Sequence, residues 1–137
     1  LKKARYYNNF YFSYISKKFT LGFEANYGWQ THSGIKNRNA KAMVLSGLIV
    51  GKYQVLPKLG VYGRQEFLND PERILTGMVD FGNSVAGTTG GIEFKPLKNA
   101  ALSLEGRVLS CDNMIFRTGN VMQNQRKEAI LCLDIWF

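Results

Sequence analysis

Twelve consecutive residues, Phe19 to Gln30, alternate between two chemically distinct sets. Phe19, Leu21, Phe23, Ala25, Tyr27 and Trp29 form the apolar set; Thr20, Gly22, Glu24, Asn26, Gly28 and Gln30 form the other. A β-strand sends successive side chains to opposite faces, so a period of two specifies a strand with one greasy face. Strands of soluble sheets usually run roughly 5–6 residues, whereas a tilted strand that crosses a bilayer needs about 9–11. This segment has the longer dimension.

The same period recurs along the chain. Tyr6 to Ile15 sets Phe10, Phe12 and Tyr14 against Asn9, Tyr11 and Ser13, and Ser16-Lys17-Lys18 makes a tight turn into Phe19. A third strand is expected from about Met43 to Val55, and Pro57-Lys58 turns it into a fourth, Leu59 to Leu68. There Leu59, Val61 and Phe67 oppose Tyr62, Arg64 and Glu66. A fifth strand spans about Thr88 to Lys95, and Pro96-Leu97-Lys98-Asn99 turns into a sixth with Leu102, Leu104 and Val108 opposite Ser103, Glu105 and Arg107. The last strand is Glu128 to Phe137, with Ala129, Leu131, Leu133, Ile135 and Phe137 on one face. Long polar connections, Thr31–Lys41, Asn69–Val85 and Cys111–Lys127, alternate with the short turns. All short turns then fall at one end, as in up-and-down barrels with tight turns on one side and long loops on the other.

Alternation does not by itself say which face is inside, because a soluble barrel has the same period with its apolar face inward. Aromatics near strand ends on the apolar face (Tyr14, Phe19, Tyr27, Trp29, Tyr53, Phe67, Phe94, Phe137) favour a membrane barrel with interfacial girdles. So do the charges on the opposite face, which are expected to pair as Arg64 with Glu66, Glu93 with Lys95, and Glu105 with Arg107. No apolar run approaches the length of a membrane helix, roughly 20 residues.

The chain carries 18 basic and 10 acidic residues, a net charge of +8. The cations are dispersed among turns and strands rather than interleaved with aromatics, so nucleic acid is not an expected partner. Cys111 and Cys132 fall at different heights of neighbouring strands, where a disulfide is not expected. They lie at no metal-like spacing, and neither a metal nor another cofactor is expected. His32 has no nucleophile or carboxylate at recognisable spacing, and Ala86-Gly-Thr-Thr-Gly-Gly91 lacks the lysine of a phosphate loop. Its glycines are expected to relieve crowding or to let the sheet curve. An enzyme is not expected.

Two segments carry a family likeness. Tyr53-Gln-Val-Leu-Pro-Lys-Leu-Gly-Val-Tyr-Gly-Arg-Gln-Glu-Phe-Leu-Asn-Asp70 and Gly91-Ile-Glu-Phe-Lys-Pro-Leu-Lys-Asn-Ala-Ala-Leu-Ser-Leu-Glu-Gly-Arg107 resemble successive hairpins of the putative β-barrel porin family of Gram-negative outer membranes. The terminal strand extends the likeness over about residues 45 to 137. Gln65 departs from it, standing where an apolar residue is usual. The resemblance implies an all-β, antiparallel up-and-down transmembrane β-barrel in the outer membrane, with the C-terminus periplasmic. It also implies contact with outer-membrane lipid through Leu131, Leu133, Ile135 and Phe137, and recognition of that strand by the barrel-assembly machinery. Family members are longer, so this single domain, residues 1 to 137, is expected to be the C-terminal part of a larger barrel.

The expected function is a porin-like channel for passive diffusion of small hydrophilic solutes. Its wall would present Glu24, Asn26, Lys52, Arg64, Glu66, Glu93, Lys95, Glu105, Arg107 and Asp134 inward, with charges of both signs tuning selectivity. The alternative is a non-conducting scaffold subunit of an outer-membrane complex, joined to a second copy or to protein partners through the loops Asn69–Val85 and Cys111–Lys127.

Overall fold

The computed structural model describes residues 2–77 and 84–137. They form β1 (Arg5–Ile15), β2 (Phe19–Gln30), β3 (Ala42–Leu56), β4 (Leu59–Asn69), β5 (Ser84–Leu97), β6 (Ala100–Cys111), β7 (Phe116–Thr118), β8 (Val121–Gln123) and β9 (Gln125–Ile135). Seven of these make one sheet in the order β1-β2-β3-β4-β5-β6-β9, each strand antiparallel to the next. This is the all-β up-and-down meander that the period-two pattern predicts. Among the described residues β1 and β9 pair on one side only, so the sheet stands open at both edges.

The short turns, 16–18, 57–58 and 98–99, lie together at one end of the sheet, hereafter the turn end. The connections 31–41, 70–83 and 112–124 leave the other, the loop end. Register ties the C-terminus to the turn end, because Ala100 faces Ile135 and Trp136 N donates to Asn99 O at 3.1 Å.

The two faces differ in an unusual sense. Glu93 has a side chain only 19% exposed, while its neighbours Ile92 and Phe94 are 51% and 45% exposed. Across β2 to β6 the charged face is thus the sheltered one and the aliphatic and aromatic face is open. Both faces of the edge strands β1 and β9 are largely exposed. Buried apolar residues are few and small: Ala42, Val44, Ala100, Ala101 and Cys111. A single sheet in water cannot leave so much apolar surface uncovered, so this face requires lipid or another apolar cover. Aromatic clusters mark it. Tyr6 stacks on Trp29 with ring centroids 5.1 Å apart, Tyr27 lies 5.6 Å from Trp29, and Phe10 meets Phe23 edge-on at 6.1 Å. Gln65, the polar exception on this face, accepts a hydrogen bond from Thr88 Oγ1 at 2.6 Å. That bond joins the Gln65 carbonyl to the Thr88 hydroxyl across the two strands.

Several boundaries differ from expectation. β5 begins at Ser84 rather than Thr88, and it runs through Pro96 to Leu97. Small residues at 84–91 blur the alternation, and a register shift between Phe94 and Leu97 accommodates a residue that cannot donate to the ladder. β9 is Gln125–Ile135 rather than Glu128–Phe137. Its first residues are too polar to alternate, yet Gln125 and Arg126 pair with Ser110 and Leu109. The connection expected from Cys111 to Lys127 contains the β7–β8 hairpin, closed by a two-residue turn in which Gly119 holds a φ of 60°. Of the expected connection Asn69–Val85, residues 78–83 lie outside the described residues. Cys111 and Cys132 are not bonded to each other.

Candidate functional site

Register places Glu24, Asn26, Lys52, Arg64, Glu66, Glu93, Lys95, Glu105, Arg107 and Asp134 on one face, the sheltered one. From β3 to β6 their contacts follow a repeated geometry in which a long side chain crosses an intervening strand. Lys52 on β3 reaches past Gly60 on β4 to Glu93 on β5, Nζ to Oε1 2.6 Å. Tyr62 on β4 lies over Gly91 on β5 and donates its hydroxyl to Glu105 Oε1 on β6 at 2.6 Å. Glu66 on β4 lies over Gly87 on β5 and pairs with Arg107 on β6.

The glycines beneath the Tyr62 and Glu66 crossings are requirements of packing. A Cβ on Gly91 would stand 2.4 Å from Tyr62 Cζ, and one on Gly87 would stand 2.6 Å from Glu66 Oε1. Neither distance is physical, so a residue with a side chain there would push the tie aside. Gly90, on the other face of the same strand, has nothing within 4 Å.

Two of the three expected charge pairs are present. Glu93 takes Lys95 at 3.3 Å in addition to Lys52. Arg64 Nε lies 3.4 Å from Glu66 Oε2, within ionic attraction but not aligned as a hydrogen bond. The third is a correction. Glu105 accepts from Tyr62, and Arg107 turns to Glu66, with Glu128 at 4.0 Å. A pair two residues apart on one strand is about 6.5–7 Å apart along the backbone, and the crossings offer each partner a straighter line. Reading one strand at a time cannot see a contact that skips a strand.

Glu24 sits apart, in an amide cluster. Asn9 Nδ2 donates to Glu24 Oε1 at 3.0 Å and to Asn26 Oδ1 at 2.6 Å, and Asn26 Nδ2 donates to Glu24 Oε1 at 2.9 Å. No cation is paired with Glu24 among the described residues, whereas Glu66 on β4 is paired with both Arg64 and Arg107. Asp134 is near the turn end of the edge strand, where Cys132 Sγ lies 3.7 Å from its Oδ1. The face also holds Tyr62, Arg126, Glu128, Asn9 and Arg5, which were not among the expected wall residues. Arg126 Nε meets Glu128 Oε1 at 2.8 Å. Parity pointed to Tyr62, Asn9 and Glu128; Arg126 was hidden by its place in a segment that reads as loop.

The loop end has a structure of its own. Asp70, fully buried, accepts from the backbone N–H of Ile74, Leu75 and Thr76 at 2.8–2.9 Å and from the Thr76 hydroxyl at 3.1 Å. This knot folds residues 70–77 back over β1 and the 31–41 loop. Arg5 donates to Ile74 O at 2.9 Å, and Ile35 N donates to Glu72 Oε2. Beside it, Lys3, His32, Ser33, Gly34, Ile35 and Arg38 line a cavity of about 460 Å³.

A family model described as putative beta-barrel porin-2, OmpL-like, matches residues 1–137, the whole chain rather than only its last two thirds. No curated protein matches the chain. No solved structure matches it.

Proposed function

Because the chain belongs to the putative β-barrel porin-2, OmpL-like family, we propose that its sheet is part of the wall of an outer-membrane channel passing small hydrophilic solutes by diffusion. One observation carries this reading: the face that is sheltered is the charged one, and the face left open is apolar. In a bilayer the apolar face meets lipid and the polar face meets a water-filled lumen. Seven strands do not close here, so the lumen needs further strands. In this reading the loop end is extracellular and the turn end periplasmic. The terminal strand, with Leu131, Leu133 and Ile135 on its apolar side and Phe137 two residues past its end, is then what the barrel-assembly machinery grips.

Selectivity would come from the lumen field. Ion pairs on β4 to β6 largely cancel, while Glu24 is bonded to the amides of Asn9 and Asn26 and to no cation among the described residues. That leaves a lateral gradient from β2 towards β6 that orders water and orients dipolar solutes. Full-length protein in planar bilayers is expected to give ohmic steps; a bilayer that stays silent while containing folded protein refutes the channel.

The β7–β8 hairpin supports a second reading. It gives the 112–124 connection a folded surface for a partner, as a scaffold subunit or a homo-oligomer would need. Stoichiometric co-purification after mild detergent extraction, together with silent bilayers, would favour that reading.

A further inference from the structure

We propose that the loop-end cavity bounded by Lys3, His32 and Arg38 binds an oxyanion of the phosphate class. The first ground is position. Just past the Arg5–Gln30 pair, Thr31 N donates to Ala4 O and Ala4 N donates to the Thr31 side-chain hydroxyl. Lys3 and His32, the next residue on either side, line one cavity. The second ground is charge. Neither Lys3 nor Arg38 is ion-paired among the described residues, and the nearby carboxylates are held by backbone N–H groups. Asp70 is saturated by the backbone of its own loop, and Glu72 accepts from Ile35 N. The third is an orphaned polar atom. His32 Nδ1 is shielded from solvent and has no hydrogen-bond partner in the protein.

Such a buried ring nitrogen costs free energy unless something pairs with it. Lys3 and Arg38 are donors only, and the His32 imidazole adds one donor nitrogen beside them. That set suits a tetrahedral oxyanion, which accepts from several directions, and the guanidinium can grip two of its oxygens. His32 also holds a positive φ of 53°, a conformation uncommon for a residue with a side chain. The backbone there is held by Ser33 N and Gly34 N, both donating to Ala40 O, and by the strap from Glu72. The cavity, about 460 Å³, has room for a phosphate together with the small group it is esterified to.

Two sources present this chemistry at a channel mouth: a phosphorylated solute entering the lumen, and a phosphate-bearing lipid headgroup beside the rim. The phosphate site rests on the loop geometry alone; the solute source also rests on the channel reading. Full-length protein in maltoside detergent, free of phospholipid, should bind inorganic phosphate saturably by calorimetry. Lys3→Gln and Arg38→Gln should each weaken it roughly tenfold, the worth of one charge-assisted hydrogen bond. His32→Asn, a residue that tolerates the positive φ, should weaken it while leaving the β-sheet circular dichroism unchanged. Absence of saturable binding, or equal binding by the K3Q/R38Q variant, overturns the proposal. In neutral-lipid bilayers, phosphate that lowers conductance with the affinity found by calorimetry identifies the solute source. Phosphate that binds without touching conductance, and is displaced by vesicles carrying phosphate monoester headgroups, identifies the lipid source. Silent bilayers with intact binding refute the channel and leave the site standing.

Discussion

Tyr62 shows how much one missing side chain can decide. Its hydroxyl reaches Glu105 because Gly91 lies beneath the ring, 2.4 Å from Tyr62 Cζ to where a Cβ would be. Gly91→Ala is expected to dislodge the ring and destabilise the folded barrel by about 1–3 kcal/mol, the cost of a lost buried hydrogen bond and a displaced side chain. Gly90→Ala, with nothing within 4 Å, should stay within about 0.5 kcal/mol of the parent. Urea unfolding in lipid vesicles compares the two, and equal effects would refute the packing argument. Gln65 and Thr88 offer a second contrast on the apolar face, where their hydrogen bond is 2.6 Å. Thr88→Val strands the Gln65 amide in lipid and should cost about 1–2 kcal/mol, whereas the double change Gln65→Leu with Thr88→Val should recover most of it. Gln65 looked anomalous in the sequence because its partner lies on another strand.

At the scale of elements, legibility depended on which force set the boundary. β2, Phe19–Gln30, was readable to the residue because each position obeys the alternation and both ends abut polar turns or loops. β5 was cut short, because Ser84 to Gly87 contribute little hydrophobicity and are held in the ladder by strands on both sides. β7 and β8 were missed: three residues each carry too little pattern to register. The 70–77 segment is also an element in its own right, since its backbone converges on one carboxylate. Asp70→Ala removes every acceptor of that knot. Trypsin should then cut at Arg73 roughly tenfold faster or more, while the β-sheet circular dichroism stays unchanged. Unchanged cleavage would mean that the Arg5 and Glu72 contacts hold the segment without Asp70.

For the whole molecule, the inversion of exposure between the two faces outweighs any single contact. The net charge of +8 is concentrated at the two ends of the sheet, while the middle of the polar face is a lattice of compensated pairs. Glu66 holds both Arg64 and Arg107, so Glu66→Gln releases two guanidinium groups into the lumen. If the channel reading is right, the reversal potential across a potassium chloride gradient should shift towards anion preference, and the shift should shrink at high ionic strength. An unchanged potential would place Glu66 away from the permeation path. By itself the sequence determined the fold class, the seven main strands, the face each residue occupies and the end to which each turn belongs. All of these follow from a period of two and from turn chemistry, which are properties of neighbours along the chain. Only the tertiary structure decided that Arg107 meets Glu66 rather than Glu105, that Tyr62 crosses Gly91, and that Asp70 folds a loop towards Lys3 and His32. Those contacts join residues on strands that are not adjacent or in different loops, and their energies depend on distances that appear only once the strands are paired in register and the glycines have opened the way.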